Sequence, residues 1–76
     1  MPTLKRLREE ALLSSTELAR LVGVSYHTVY EWEHAMARPS PANQRKLVVA
    51  LNITPTVLLQ AIEETRKEAK GDRAAA

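Results

Sequence analysis

Helix-start signals recur at short intervals along this chain, and they constrain its fold more than any other feature. A helix commonly begins at a Ser or Thr whose side chain accepts a hydrogen bond from a backbone amide three residues further on. Such residues stand at Ser14, Ser25, Ser40 and Thr54, and proline, which suits the first turn of a helix, follows the last two. The apolar residues between these signals recur at helical spacing, without the period-two alternation of strands. The patterns predict an all-α domain.

The positions of these signals predict a compact arrangement of five helices. We expect the helices over about residues 3–12, 15–22, 25–35, 41–51 and 55–70. Ser14 and Glu17 form a capping box at the start of the second helix. Gly23 and Asn52 are expected in the left-handed conformation that ends a helix. Gly71 is expected to stop the extended fifth helix, so that residues 1–70 form the domain and residues 71–76 a frayed tail.

Composition restricts the classes of function that the chain can have. With 76 residues and no cysteine, it is one small domain near the lower size limit for a core without disulfides. Its longest apolar run, Leu47 to Leu51, is too short for a membrane span or a signal peptide, which favours a cytoplasmic protein without a membrane partner. No glycine-rich phosphate loop or catalytic cysteine is present. We therefore expect no enzyme activity, no catalytic residues and no cofactor.

The stretch VSYHTVYEWE, from Val24 to Glu33, contains every Tyr and Trp of the chain but no Lys or Arg. Two short helices joined by a glycine-containing turn form a helix-turn-helix unit, whose second helix enters the major groove of DNA. Helical spacing puts Val29 and Trp32 on the inner face of that helix. It puts these side chains on the outer face: Tyr26, His27, Tyr30, Glu31 and His34.

The segments LKRLREEALLSSTELARLVGVSYHTVYEWEHAMARPS and KLVVALNITPTVLL resemble the Cro and phage-repressor type of helix-turn-helix domain, the Xre-like family. The resemblance joins several features in order: the LxxLR start, LSxxELA, the LxGVS turn, the WE pair and the Pro-Ser opening of the fourth helix. It implies a lambda-repressor-like five-helix domain that binds double-stranded DNA, usually as a dimer, and regulates transcription.

The resemblance also implies roles for individual side chains. Four become candidates for contacts with base edges: Tyr26, His27, Thr28 and Glu31. Four others become candidates for contacts with DNA phosphates: Ser15, His34, Arg38 and Ser40. Backbone amides at the starts of the second and fourth helices can add to the phosphate contacts. Arg8 and Glu33 stand where two residues pair in the family, so we expect a partly buried ion pair between the first and third helices.

Several positions depart from the family pattern. The family often has Gly where this chain has Leu12 and Ala35, and a non-glycine residue in a left-handed conformation costs roughly 1 kcal/mol. It often has Gln at the position of Ser15 and a basic residue at that of Met36. Because phosphate neutralisation supplies much of DNA affinity, we expect the monomer to bind weakly. Glu31 adds a negative charge, which an interaction with the amino group of cytosine would compensate.

Two functions remain open. The first is a sequence-specific transcriptional repressor that binds its operator as a homodimer, with the far half of the fifth helix contributing to the dimer contact. That helix carries an apolar stripe long enough to pack on the domain and still extend beyond it. The stripe consists of Val57, Leu58, Ala61, Ile62, Thr65 and Ala69. The second is a protein-interaction module of the same fold, such as an antitoxin, an antirepressor or a polymerase-binding regulator. His27, Glu31 and His34 share a helical face, but no fourth ligand is evident nearby, so no metal site is expected.

Overall fold

A computed structural model describes residues 1–75, with side chains described as far as Gly71. Within this range the chain forms five α-helices and no strand, which confirms the all-α prediction. The helices are α1 (Leu4–Glu10), α2 (Ser15–Val22), α3 (Tyr26–Glu33), α4 (Pro41–Leu51) and α5 (Pro55–Ala75). All five begin within a residue or two of their predicted starts.

Side-chain caps fix the helix starts. The Ser14 hydroxyl accepts from the Glu17 amide at 3.1 Å, and the Glu17 carboxylate accepts from the Ser14 amide at 3.0 Å, so the predicted capping box is present. That backbone hydrogen bond from Ser14 lowers the pKa of Glu17. The hydroxyls of Ser25, Ser40 and Thr54 each accept from the amide three residues further on, at 3.2 Å.

The predicted helix ends were less accurate than the starts. Gly23 and Asn52 adopt the expected left-handed conformations, with φ of 82° and 53°. Leu12 and Ala35 are also left-handed, with φ of 61° and 57°, so α1 and α3 end at Glu10 and Glu33, before those residues.

The prediction that Gly71 stops the fifth helix is wrong, because α5 continues through Gly71 to Ala75. A glycine inside a helix costs only about 1 kcal/mol relative to alanine, and alanines follow closely here. Ala76 lies outside the described residues, and the fraying of residues 71–76 stays a prediction.

All five helices contribute to a single apolar core. Its buried members are Leu4, Leu7, Leu18, Ala19, Val22, Val29, Trp32, Leu47, Leu51, Leu58, Ala61 and Ile62. Thr65 ties α5 to the start of α1, because its hydroxyl accepts from the Leu4 amide at 3.0 Å and donates to the Ala61 carbonyl at 2.8 Å. Most of the apolar stripe of α5 is thereby buried inside the domain itself.

The last two helices meet at a sharp bend, with an angle of 108° between α4 and the part of α5 up to Gly71. Among the described residues, no single helix is both long and apolar enough to cross a membrane, and α4 and α5 meet that test only when taken as a pair.

Glycine at either strained turn should stabilise the fold. We expect Leu12→Gly and Ala35→Gly each to raise the free energy of unfolding by about 0.5 kcal/mol, because relief of left-handed strain outweighs the greater chain entropy of glycine. Leu12 is 89% exposed, so its removal loses almost no packing. Ala42→Gly, at the exposed second position of α4, is the matched control and should lower the free energy of unfolding by up to about 0.5 kcal/mol. Urea unfolding measures the free energy of unfolding of all three variants. If Leu12→Gly lowers it as much as Ala42→Gly does, the backbone at Leu12 is not strained.

Candidate nucleic-acid interface

The turn between α2 and α3 has a single, well-defined path. The amides of Gly23 and Val24 both donate to the Ala19 carbonyl, at 2.8 and 2.9 Å. A Cβ atom on Gly23 would meet no atom within 4 Å, so the backbone conformation, and not lack of space, requires glycine here. Ser25 then caps α3, which fixes the direction in which that helix leaves the turn.

The two faces of α3 have opposite environments, as predicted. Val29 and Trp32 are buried, with 1% and 4% of their surface exposed. Tyr26 and Tyr30 on the other face are 58% and 41% exposed, and His27 is exposed as well. The helix is therefore held to the core by one side while its aromatic side faces solvent.

Aromatic rings stack along the outer face of α3. The Tyr30 ring lies between two imidazoles, with centroid distances of 6.1 Å to His27 and 3.9 Å to His34. Nδ1 of His34 lies 2.8 Å from the Tyr30 carbonyl oxygen, and because that oxygen can only accept, Nδ1 carries the hydrogen. No specific role for Tyr30 was inferred from the sequence, although its spacing of three and four residues from the histidines is a signal for this stack.

The four candidates for base contacts are not equally available. Nε2 of His27 lies 3.8 Å from a carboxylate oxygen of Glu31, whose side chain is 33% exposed, so a protonated His27 would offset this negative charge. Tyr26 is 58% exposed and lies close enough to Arg8 to contribute to the raised pKa of that guanidinium. The Thr28 hydroxyl lies 2.9 Å from the Ser25 hydroxyl and so belongs to the cap of α3. Over the described residues, no group of three or more His, Cys, Asp or Glu is placed to hold a metal ion.

The candidates for phosphate contacts lie at helix ends around α3. Ser15 is the half-buried first residue of α2, and Ser40 is the cap of α4. Arg38 is exposed in the segment before Ser40, where the side-chain amide of Gln44 donates to the Pro39 carbonyl at 2.9 Å and fixes the loop.

Two of these phosphate candidates have competing interactions. A neutral His34 with its hydrogen on Nδ1 has only an acceptor at Nε2, so donation from Nε2 to a phosphate requires a second proton. The pKa of Glu63 on α5 is lowered mainly by a hydrogen bond from Arg66. The positive charge of Arg38 also contributes to this lowering, so Arg38 lies close to α5.

A partly buried ion pair joins α1 to α3, as expected. Nε of Arg8 lies 2.6 Å from Oε2 of Glu33, Nη2 lies 3.3 Å from Oε1, and Nη1 donates to the Leu13 carbonyl at 2.9 Å. The two side chains are only 11% and 6% exposed. The hydrogen bond to Glu33 raises the pKa of Arg8. This one guanidinium therefore connects α1, the turn after it and the end of α3.

Two short helices held by a left-handed glycine turn, with the second presenting an exposed polar and aromatic face, define a helix-turn-helix DNA-binding domain. The family model for this helix-turn-helix matches residues 4–58. The chain belongs to this family, the Cro/C1-type, Xre-like helix-turn-helix proteins, and is a DNA-binding regulator in that general sense. The family is regulatory and not typically enzymatic. No curated protein matches the chain.

Removal of one partner of the buried pair should destabilise the domain strongly. We expect Arg8→Ala or Glu33→Ala to lower the free energy of unfolding by about 3–5 kcal/mol, because each leaves a buried charge without its partner. Replacing both residues at once, as Arg8→Met with Glu33→Leu, should restore much of the loss. Urea unfolding followed by circular dichroism measures these changes.

The exposed pair Arg6 and Glu10 is the matched control, with side chains 68% and 57% exposed and a distance of 3.3 Å between Nε and Oε2. Its disruption should cost less than about 1 kcal/mol. If Arg8→Ala costs no more than Arg6→Ala, the buried pair does not hold α1 to α3.

Proposed function

We propose that this chain is a cytoplasmic, sequence-specific transcriptional repressor that binds double-stranded operator DNA as a homodimer, with α3 in the major groove. Family membership together with the exposed outer face of α3 carries the proposal. The core contacts of Val29 and Trp32 hold the helix while leaving that face open. The path of the turn at Gly23 sets how far α3 projects from the domain.

Base readout in this proposal rests mainly on Tyr26, His27 and Glu31. A carboxylate accepts hydrogen bonds, and in the major groove the amino group of cytosine is the donor that suits it. Glu31 therefore favours cytosine within the half-site. Thr28 is the fourth contact; because its hydroxyl is shared with Ser25, its methyl group is the part that suits a thymine methyl.

Phosphate contacts come from the helix ends that surround α3. Arg38 and the hydroxyls of Ser15 and Ser40 supply them, together with amides at the starts of α2 and α4. Arg38 is the only one of these side chains with a permanent positive charge. With so few cations, one protomer should bind weakly, and two linked protomers gain affinity because the second contact becomes intramolecular.

The dimer contact on α5 is better assigned to its near end than to its far half. Leu58, Ala61, Ile62 and Thr65 of the apolar stripe are already buried within the protomer. Leu59 remains 46% exposed beside an open groove of about 270 Å³ between α4 and α5. The groove is lined by Pro41, Gln44, Arg45, Val48, Pro55, Leu58 and Leu59. We place the homodimer contact there.

Selection from random duplex DNA tests the proposed function. The expected product is a two-fold symmetric sequence whose half-sites lie about one helical turn, or 34 Å, apart, because a symmetric dimer presents two α3 helices. Glu31→Gln should change the selected base at one position of each half-site. Arg38→Ala should weaken binding to all sequences alike and reduce the salt dependence by about one phosphate contact.

Lys70→Ala, which removes a cation from the far end of α5, is the matched control for Arg38 and should leave DNA affinity unchanged. Recovery of no sequence, at low as well as at physiological salt, would contradict the DNA-binding proposal.

The mass of the protein in solution tests the dimer contact. We expect Leu59→Gln to raise the dimer dissociation constant at least tenfold, since loss of one buried leucine costs about 1.5–3 kcal/mol. Removal of residues 67–76 should leave dimerisation unchanged. Sedimentation equilibrium measures both. The opposite pattern, with dimers lost on truncation and kept by Leu59→Gln, would move the contact to the far half of α5.

The second candidate is a protein-interaction module, and one observation favours it. The outer face of α3 combines exposed tyrosines with Glu31 and has no Lys or Arg, a composition that suits a protein surface. An antitoxin, an antirepressor or a polymerase-binding regulator of this fold would bind its partner there. Under this alternative, DNA selection yields no sequence, while substitution of Tyr26 abolishes partner binding.

A further inference from the structure

A second surface, which we name the basic groove, lies between α2 and α4. It is an open groove of about 430 Å³ lined by Leu21, Ala42, Arg45, Lys46, Val49 and Ala50. Leu21 and Val49 are 60% and 81% exposed, although both belong to helices that bury other residues in the core. No side chain among these six takes part in the DNA contacts proposed above, although the Ala42 amide lies at the start of α4 and Arg45 also lines the groove of the proposed dimer contact. The groove therefore has an apolar floor that the domain itself leaves uncovered.

The charge of the basic groove is positive. Arg45 and Lys46 are exposed, and within residues 1–71 neither lies in an ion pair with a carboxylate. No acidic residue occurs in α4. The carboxylate of Glu17, the one acid of α2, accepts a hydrogen bond from the Ser14 amide at the cap of its own helix. Lys46 is thus available for an acidic occupant, and Arg45 is shared with the groove of the proposed dimer contact.

We propose that the basic groove binds an acidic amphipathic helix of a protein partner. A groove between two packed helices accepts the apolar stripe of a third helix, and side chains at positions i, i+3, i+4 and i+7 would cover Leu21 and Val49. Acidic residues beside that stripe would meet Arg45 and Lys46 and would set the specificity and orientation of binding. This inference does not depend on the DNA-binding proposal.

Other occupants match the groove less well. A DNA backbone would satisfy the two cations but would leave the apolar floor exposed, since phosphates offer no apolar surface. A second copy of the chain would have to supply an acidic helix. The exposed end of α5 does not fit, because Glu64 and Glu68 alternate there with Arg66, Lys67 and Lys70.

The test is a titration of the ¹⁵N-labelled protein with two synthetic helical peptides, followed by amide chemical shifts. Both peptides carry leucine at i, i+3, i+4 and i+7; one has glutamate beside the stripe and the other has lysine. We expect the acidic peptide to cause saturable shifts in α2 and α4, and the basic peptide to bind at least about tenfold more weakly. Lys46→Glu and Leu21→Ser should each weaken acidic-peptide binding about tenfold.

Lys5→Glu, a charge reversal at an exposed site on α1, is the matched control and should change peptide affinity less than twofold. Circular dichroism checks that each variant is folded. The proposal is overturned if the acidic peptide binds more weakly than about 1 mM, if its shifts lie on α3, or if both peptides bind equally. It is also overturned if Lys46→Glu weakens DNA binding and leaves peptide binding unaffected, because the groove then binds phosphates. It is overturned, too, if Leu21→Ser changes only the oligomeric state, because the groove then binds a second copy of the chain.

Discussion

The ion pair between Arg8 and Glu33 constrains how α3 is oriented on the domain. Glu33 is the last residue of α3, and Arg8 reaches it from α1 while also donating to the Leu13 carbonyl in the turn before α2. One guanidinium thus positions both ends of the helix-turn-helix unit relative to α1. In so small a core a buried charge pair is a poor source of net stability, because desolvation offsets most of the attraction. Its contribution is to orientation: an α3 rotated about its axis would leave both charges buried and unpaired.

The same pair shapes the electrostatics of the outer face. Arg8 neutralises Glu33 within the domain. Glu31, with His27 as its neighbour, is therefore the carboxylate of α3 that would face the DNA major groove in our proposal. The chain belongs to a DNA-binding family although α3 contains no Lys or Arg. The two facts are compatible if other elements supply the positive charge. In our proposal Arg38 and the helix N-termini supply that charge. The affinity for DNA then comes mainly from those phosphate contacts, and the sequence specificity comes mainly from α3.

The sequence predicted the helix starts and the two faces of α3 well, and the end and the packing of α5 less well. The caps at Ser14, Ser25 and Ser40 depend on residues three positions away, so a short stretch of sequence contains all the information needed. The end of α5 depends on a small difference in backbone free energy at Gly71, which spacing does not reveal. The apolar stripe of α5 was expected to pack on the domain and to extend beyond it to a partner, because periodicity identifies a buried face without showing how far along the helix the domain buries it. Here the hydrogen bond from the Leu4 amide to Thr65, across most of the chain, shows that the domain itself covers it.

Helix α2 links the proposed DNA surface to the basic groove. Ser15 at its start is a proposed phosphate contact, and Leu21 near its end lies in the groove with α4. On the buried face of the same helix, Leu18, Ala19 and Val22 are packed at exposures of 1–4%, and Gly23 fixes the following turn. Allosteric coupling requires an element with two alternative arrangements, and a helix packed this tightly favours one. Under the two proposals taken together, a partner in the basic groove would be brought to the operator without changing the conformation of α3.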